Sequence, residues 1–227
     1  MTSTTPPPPS EPGAGIQVTL RSPSKYISSS TNTTTTSTST TKFTPPALEW
    51  LHRTWTVSHS TLKMWRSAQN VRITYSPLPP SSSKTTTPPR ERIDDKVEYE
   101  SLGGDGKGGS VKSVSGVDTA ETAGDGSVWM WRGKRWLALL SSHWELLGWG
   151  ERTLADGSTE RWMVSWFAAT TFTKEGLDIL SDRREGPSEE TAEAVLAALK
   201  ALEARPVAEL VAKEMLPVAI NLPWKES

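Results

Sequence analysis

The stretch "GLDILSDRREGPSEETAEAVLAALKALEA", Gly176 to Ala204, contains a change of period. Its first residues read as a short apolar strand, ended by the charged run Asp182-Arg183-Arg184-Glu185. Beyond Pro187 the apolar side chains fall at Val195, Leu196, Leu199 and Leu202, the spacing of one helix face. Pro187 and Ser188 stand where such a helix starts. Glu189 and Glu190 put negative charge in its first turn, where unpaired backbone N–H groups point. A strand therefore runs into an amphipathic helix late in the chain.

Upstream the period is two. "NVRITYS" sets Val71, Ile73 and Tyr75 against Arg72 and Thr74, and "DKVEYES" sets Val97 and Tyr99 against Lys96, Glu98 and Glu100. "RTWTVSHS" places Trp55 and Val57 on one face. "SVKSVSGVD", "SVWMWRG", "RWLALLSSHWELLGWGE" and "RWMVSWFAATTF" continue the series. Alternation with β-branched and aromatic enrichment marks half-buried strands. The segments between them are turn chemistry: "SPLPPSSSKTTTPPRER", "GGDGKGG", "TAETAGDG" and the hairpin pair Asp156-Gly157. Eight or so short strands with no helix between them predict an antiparallel meander, and closure into a barrel removes its edges. A second helical piece is expected in "PVAELVAKEM". "PVAINLPW" reads as a short final strand limited by Pro217 and Pro223.

Composition bounds the rest. Among 227 residues there is no cysteine, which excludes a disulfide framework and a Cys-zinc site. A net charge of −1 with no basic stripe excludes an electrostatic footprint for nucleic acid. Residues 1–46 are rich in Ser, Thr and Pro and poor in large apolar side chains, so a disordered tail is expected there. Residues 47–227 are expected to form one domain. No secretory pattern and no apolar run near ~20 residues is visible. The expected location is cytoplasmic, with organellar targeting by the tail left open.

The order of elements and several local stretches resemble the lipocalins of the calycin superfamily, in particular disulfide-free bacterial- and plant-type members. Trp55 in "HRTWTVSHS" takes the tryptophan position of the family's Gly-x-Trp motif, with Arg53 in place of the glycine. Thr159-Glu160-Arg161 partly matches the Thr-Asp-Tyr motif. "LDILSDRREGPSEET" is similar to the eighth strand and the helix start, with Arg183 or Arg184 as the arginine that follows that strand. The resemblance covers roughly Leu48 to Trp224. It implies an all-β fold, an eight-stranded antiparallel up-and-down barrel with the C-terminal α-helix packed outside. It also implies that Arg183 or Arg184 stacks over Trp55 to close one end, and that a small hydrophobic molecule is held inside with neither metal nor cofactor.

Strand parity sorts the aromatic side chains. Trp136, Ala138 and Leu140 share a face that Trp144 joins across a turn or bulge near Ser141-Ser142. Trp162, Val164 and Trp166 share a face of the next strand. With Tyr75 and Tyr99, the residues Trp136, Trp144, Trp162, Val164 and Trp166 are expected to line the cavity. Met163, Ser165 and Phe167 occupy the opposite face, and two apolar faces on one strand place the helix over the outside of this sheet.

Catalytic motifs are absent. His52, His59 and His143 lack zinc spacing, and "GGDGKGG" lacks the Ser/Thr and the helix of a phosphate loop. There is no Gly-x-Ser-x-Gly elbow. One enzymatic alternative stands: a cyclase or isomerase that folds a hydrophobic intermediate, with Tyr75, Tyr99, His143 or Glu145 as acid or base. His143 and Glu145 oppose Trp144 on their strand, so they face outward if Trp144 lines the cavity. A non-catalytic interaction module, using the "TTTTSTSTT" and "PPPP" segments, is the third class.

Overall fold

The computed structural model describes residues 16–27, 43–81, 88–103, 109–122, 125–171 and 173–226. Eight antiparallel strands follow one another: β1 (Thr54–Ser60), β2 (Ala68–Leu78), β3 (Arg92–Ser101), β4 (Val111–Ala120), β5 (Val128–Gly133), β6 (Ser141–Thr153), β7 (Thr159–Phe167) and β8 (Gly176–Ser181). Each pairs with its successor, and β1 pairs with both β2 and β8. Trp55 lies opposite Ile73 on one side, and Val57 lies opposite Leu180 on the other. The sheet is thus a closed barrel, as the alternation predicts. By register, the loops after β1, β3, β5 and β7 gather at one end, and those after β2, β4 and β6 at the other.

Helix α1 (Leu48–Leu51) precedes β1 at the second of these ends. Helices α2 (Glu189–Lys200) and α3 (Arg205–Glu214) pack outside the barrel. The Ser188 side chain accepts a hydrogen bond from the Thr191 backbone N–H, and the buried Glu160 carboxylate accepts from the hydroxyls of Ser188 and Thr191. A carboxylate at a helix N-terminus complements its exposed N–H groups and dipole. Glu160, in the partial Thr-Asp-Tyr match, thereby ties β7 to α2.

Two apolar clusters result. The inner one holds Trp55, Val57, Ile73, Trp129, Leu146 and Met163. The outer one sets Leu147, Trp162, Val164, Trp166, Leu177 and Ile179 against Val195, Leu199, Val207 and Val211 of the helices. Gly150 belongs to this outer wall, because a Cβ there would come within 2.8 Å of the Trp162 indole. The parity expectation for β7 is therefore inverted. Trp162, Val164 and Trp166 face the helices, and Met163 faces the interior.

The N-terminal segment departs from a uniformly disordered reading. Residues 1–15 and 28–42 lie outside the described residues, but 16–27 run along the outer wall. Val18, Leu20 and Tyr26 pack on the outer cluster, and Arg21 donates to the backbone carbonyls of Leu146 and Ser127. At the other terminus the expected final strand shrinks to β9 (Leu216–Pro217), paired with His59 and Ser60. Beyond it the chain crosses the outside of β2 and β3, where Asn221 is held by Asn70 and the Lys225 backbone N–H by Glu100.

Candidate functional site

The end of the barrel near α1 is shut. Trp55 is fully buried, donates its indole N–H to the Leu51 carbonyl at 3.0 Å, and packs against Trp50 at 4.9 Å between ring centroids. The guanidinium of Arg53 lies 5.4 Å from the Trp50 ring and 5.5 Å from the Trp55 ring. Asp182, just past β8, accepts from both Arg53 and Arg161. The expected stacking of Arg183 or Arg184 on Trp55 is thus corrected. Arg183 pairs with Glu185, and Arg184 stacks on Trp224 at 4.9 Å. Arg53, standing where the family motif has glycine, reaches the indole from just before β1, and the later arginines hold other partners.

The opposite end is open. A cavity of about 340 Å³ lies among Leu62, Trp131, Leu140, Ser142, Phe167, Thr170, Thr173 and Lys174. A deeper chamber of about 160 Å³ shares Leu62, Trp131, Ser142 and Phe167 with it, and adds Trp65, Tyr75, Trp144 and two carboxyls, Asp95 and Asp178. The larger space falls within the range of small-molecule sites, with the smaller as its floor.

The floor is built from alternate residues of four strands. On β2, Ile73 and Tyr75 point in. On β3 it is Asp95 and Val97, on β6 Trp144, and on β8 Asp178. Tyr75 stacks on Trp144 (6.0 Å, 5°) and Trp144 on Trp129 (5.8 Å, 13°), a ladder of flat rings down one wall. The Trp144 indole N–H donates to Asp118 at 2.7 Å, and Trp131 hydrogen-bonds Asp95. Trp65, on the loop after β1, packs edge-on against Tyr99 at 5.5 Å.

Burial dominates the electrostatics. It pushes Asp95 well above the usual carboxylate range, reinforced by Asp118 and Asp94, and it raises Asp118 despite the Trp144 bond. Asp178 is pushed up to about 7 by burial, only partly offset by Ser60, Trp65 and the charge of Arg66. The Tyr75 phenol is raised well above 10.0 by burial and by the three carboxyls around it. Removing a charged form from water without a compensating partner has this effect.

The sequence-predicted cavity residues separate accordingly. Tyr75 and Trp144 line the chamber, and Tyr99 belongs to the same inner cluster. Trp136 does not line it: the expected strand there is a 3-10 turn over Arg135–Leu137, and the Trp136 side chain is 83% exposed. Arg135 takes a left-handed φ of 54°, so parity counted through it fails. Trp162, Val164 and Trp166 lie behind the wall, under the helices. Asp95, Asp118, Asp178, Trp65, Trp131 and Phe167 were missed. The signal for Asp95 is in its strand, since it shares parity with Ile93, Val97 and Tyr99.

His143 and Glu145 face outward, opposite Trp144. The Glu145 carboxylate accepts from the Ser24 backbone at 3.0 Å and pairs with Arg21 at 2.7 Å. Burial pushes its pKa up, but Ser24, His143 and Arg21 outweigh this and hold it below the usual value. Burial likewise pulls His143 down, and Glu145 with Glu121 reverses the direction to a raised pKa. The cluster anchors the N-terminal segment. Among the described residues, no group of three or more His, Asp or Glu is arranged to hold a metal ion.

A closed eight-stranded up-and-down barrel, plugged at one end and covered outside by its C-terminal helices, has the architecture of a lipocalin-type barrel. Among solved structures the chain resembles lobster apocrustacyanin A1, with a TM-score of 0.44 and 11% identity over 77% of this chain and 80% of that one. It also resembles apocrustacyanin C1 (0.43, 12%, 76% and 78%) and the siderocalin Ex-FABP (0.41, 12%, 76% and 95%). No family model and no curated protein matches the sequence. No helix among the described residues is long and apolar enough to cross a membrane.

Proposed function

We propose that this chain binds a small, mainly hydrophobic molecule inside the barrel, admitted at the open end. The observation that carries the reading is the continuity of the two spaces: Leu62, Trp131, Ser142 and Phe167 belong to both. An apolar body fits the outer space, between the rings of Trp131 and Phe167 and the side chains of Leu62 and Leu140. One polar end reaches the floor at Tyr75, Asp95 and Asp178. Lipid-, terpenoid- and polyketide-like molecules with such an end are the class expected.

Three indoles lining the chamber, Trp65, Trp131 and Trp144, make intrinsic fluorescence a direct probe. Titration with fatty acids, terpenoids and aromatic polyketides is expected to give saturable quenching with at least one class. Ser142→Trp fills the passage between the two spaces and is expected to abolish that response in a folded protein. Saturation unchanged in Ser142→Trp places binding elsewhere and rejects the reading.

A catalytic version has one observation in its favour. A carboxyl that keeps its proton up to about pH 7, as Asp178 does, is what general acid catalysis on a folded apolar substrate requires. Conversion of a bound compound that stops in Asp178→Asn, with binding retained, distinguishes a cyclase or isomerase from a carrier.

A further inference from the structure

We infer that the ligand is an apolar amine, whose ammonium group enters the inner chamber between Asp178 and Asp95. This rests on the reading that the barrel binds a ligand, and it assigns the ligand's charge.

Three carboxyls from three strands point into one interior: Asp95 from β3, Asp118 from β4 and Asp178 from β8. They are 7%, 0% and 1% exposed. Each keeps one oxygen without any partner: Asp95 Oδ1, Asp118 Oδ2 and Asp178 Oδ1. The bonds they do have come from neutral donors, the indoles of Trp131 and Trp144. Beside Asp178 stand the Ser60 hydroxyl and the Trp65 indole, both neutral, and farther off the charge of Arg66.

The nearest cations bond other groups, although the buried Nη1 of Arg66 has no hydrogen-bond partner and its charge reaches Asp178. Arg66 donates to the backbone carbonyls of Ser60 and Glu214, and Lys134 pairs with Asp94 on the outer face of β3. Among the described residues no Lys or Arg lines the chamber, and Lys174 lies at the outer space.

Stability does not account for this arrangement. Buried carboxyls without counter-charges weaken a fold, and apolar side chains of similar volume serve a core better. A cation brought from outside resolves the mismatch. An ammonium group has three N–H donors and no acceptor, so it fits these unpaired oxygens once its charge draws off the protons that burial keeps on them. The remaining walls are the rings of Trp65, Tyr75, Trp131 and Trp144, whose faces attract a cation once water is excluded. A bare metal ion does not fit, because the carboxyls do not converge as ligands. A chamber of about 160 Å³ holds the head group, and the outer space of about 340 Å³ takes the tail.

The test uses the full chain and three probes with one tail: octylamine, octanol and octanoate, titrated at neutral pH by tryptophan fluorescence and calorimetry. Octylamine is expected to bind at least about tenfold more tightly than octanol, and octanoate more weakly than either. In Asp95→Asn/Asp178→Asn the amine is expected to fall to the level of the alcohol, with alcohol binding kept. Octanol or octanoate binding as tightly as octylamine to the unaltered chain overturns the assignment of charge and leaves the hydrophobic-ligand reading standing. An amine preference that survives in the double variant overturns the role of these carboxyls. No saturable response to these probes, or to the wider panel, removes both readings together. The comparison of probes on the unaltered chain decides the assignment even where the double variant does not fold.

Discussion

The two faces of β7 and β8 show two kinds of interior in one molecule. Outward, Trp162, Trp166, Leu177 and Ile179 meet Val195, Leu199, Val207 and Val211 in an apolar layer. Inward, the same two strands present Met163, Ser165, Asp178 and Leu180, with an unpaired carboxyl oxygen and an unpaired hydroxyl among them. Leu177 and Asp178 are neighbours in sequence, equally buried, and chemically opposed. The outer layer follows the packing rule for a core, and its buried acid, Glu160, is fully partnered at the start of α2. The inner one breaks that rule at residues 95, 118 and 178. Departures of that kind mark positions kept for binding or chemistry rather than for stability.

Truncating the outer layer is expected to have the largest effect. Trp166→Ala removes a buried indole from the outer cluster and is expected to cost about 3–5 kcal/mol, read as a lowered urea midpoint. A loss below about 1 kcal/mol would mean that the layer is not a close-packed core.

The inner layer is expected to respond with the opposite sign. Folded Asp178 keeps its proton up to about pH 7, whereas its unfolded counterpart releases it near 3.8. Between those values the folded state holds more protons, so the empty protein loses stability as pH rises, and the penalty is complete above about 7. Asp178→Asn removes the ionisable group. It is expected to match the unaltered chain below pH 4 and to exceed it at pH 8 by up to about 4 kcal/mol, at about 1.4 kcal/mol per pH unit. Parallel thermal melts across pH 4 to 8 check this, and a variant less stable at pH 8 contradicts it.

The smallest expected effect sharpens the comparison at the closed end. Arg53→Ala removes the guanidinium over two indoles and is expected to cost about 1–2 kcal/mol. Arg183→Ala breaks a surface pair with Glu185 and a long, exposed bond to the Ser158 hydroxyl, and is expected to cost less than about 0.5 kcal/mol. Equal losses in the two variants would return the closing role to the arginines after β8.

The strand order, the closure and the helix at Glu189 were legible because they depend on local period and turn chemistry. What parity does not decide is which face of a doubly apolar strand is the inside. In "RWMVSWF" both faces are apolar, and tertiary packing gave the larger rings to the helices. Trp136 was misplaced for a different reason: one left-handed residue, Arg135, interrupts the count between β5 and β6. The carboxyl floor was readable in part. Asp95 shares parity with Val97 and Tyr99, both recognised as one apolar face, and an acid there is the anomaly that points to a site. Asp118 of β4 and Asp178 of β8 come near it only when the ring of strands closes.

Releasing Arg184 from the closed end has a mechanical consequence. Trp224 is sandwiched between Arg184, at the exit of β8, and Arg72, in the middle of β2, at 4.9 and 5.2 Å. Those two elements flank β1, and β1 meets β2 over only Thr54, Trp55 and Thr56. The seam where the ring of strands joins is its shortest ladder. The chain lays a clasp across it from outside, so that prying the ring apart must first unstack one indole from two guanidinium groups.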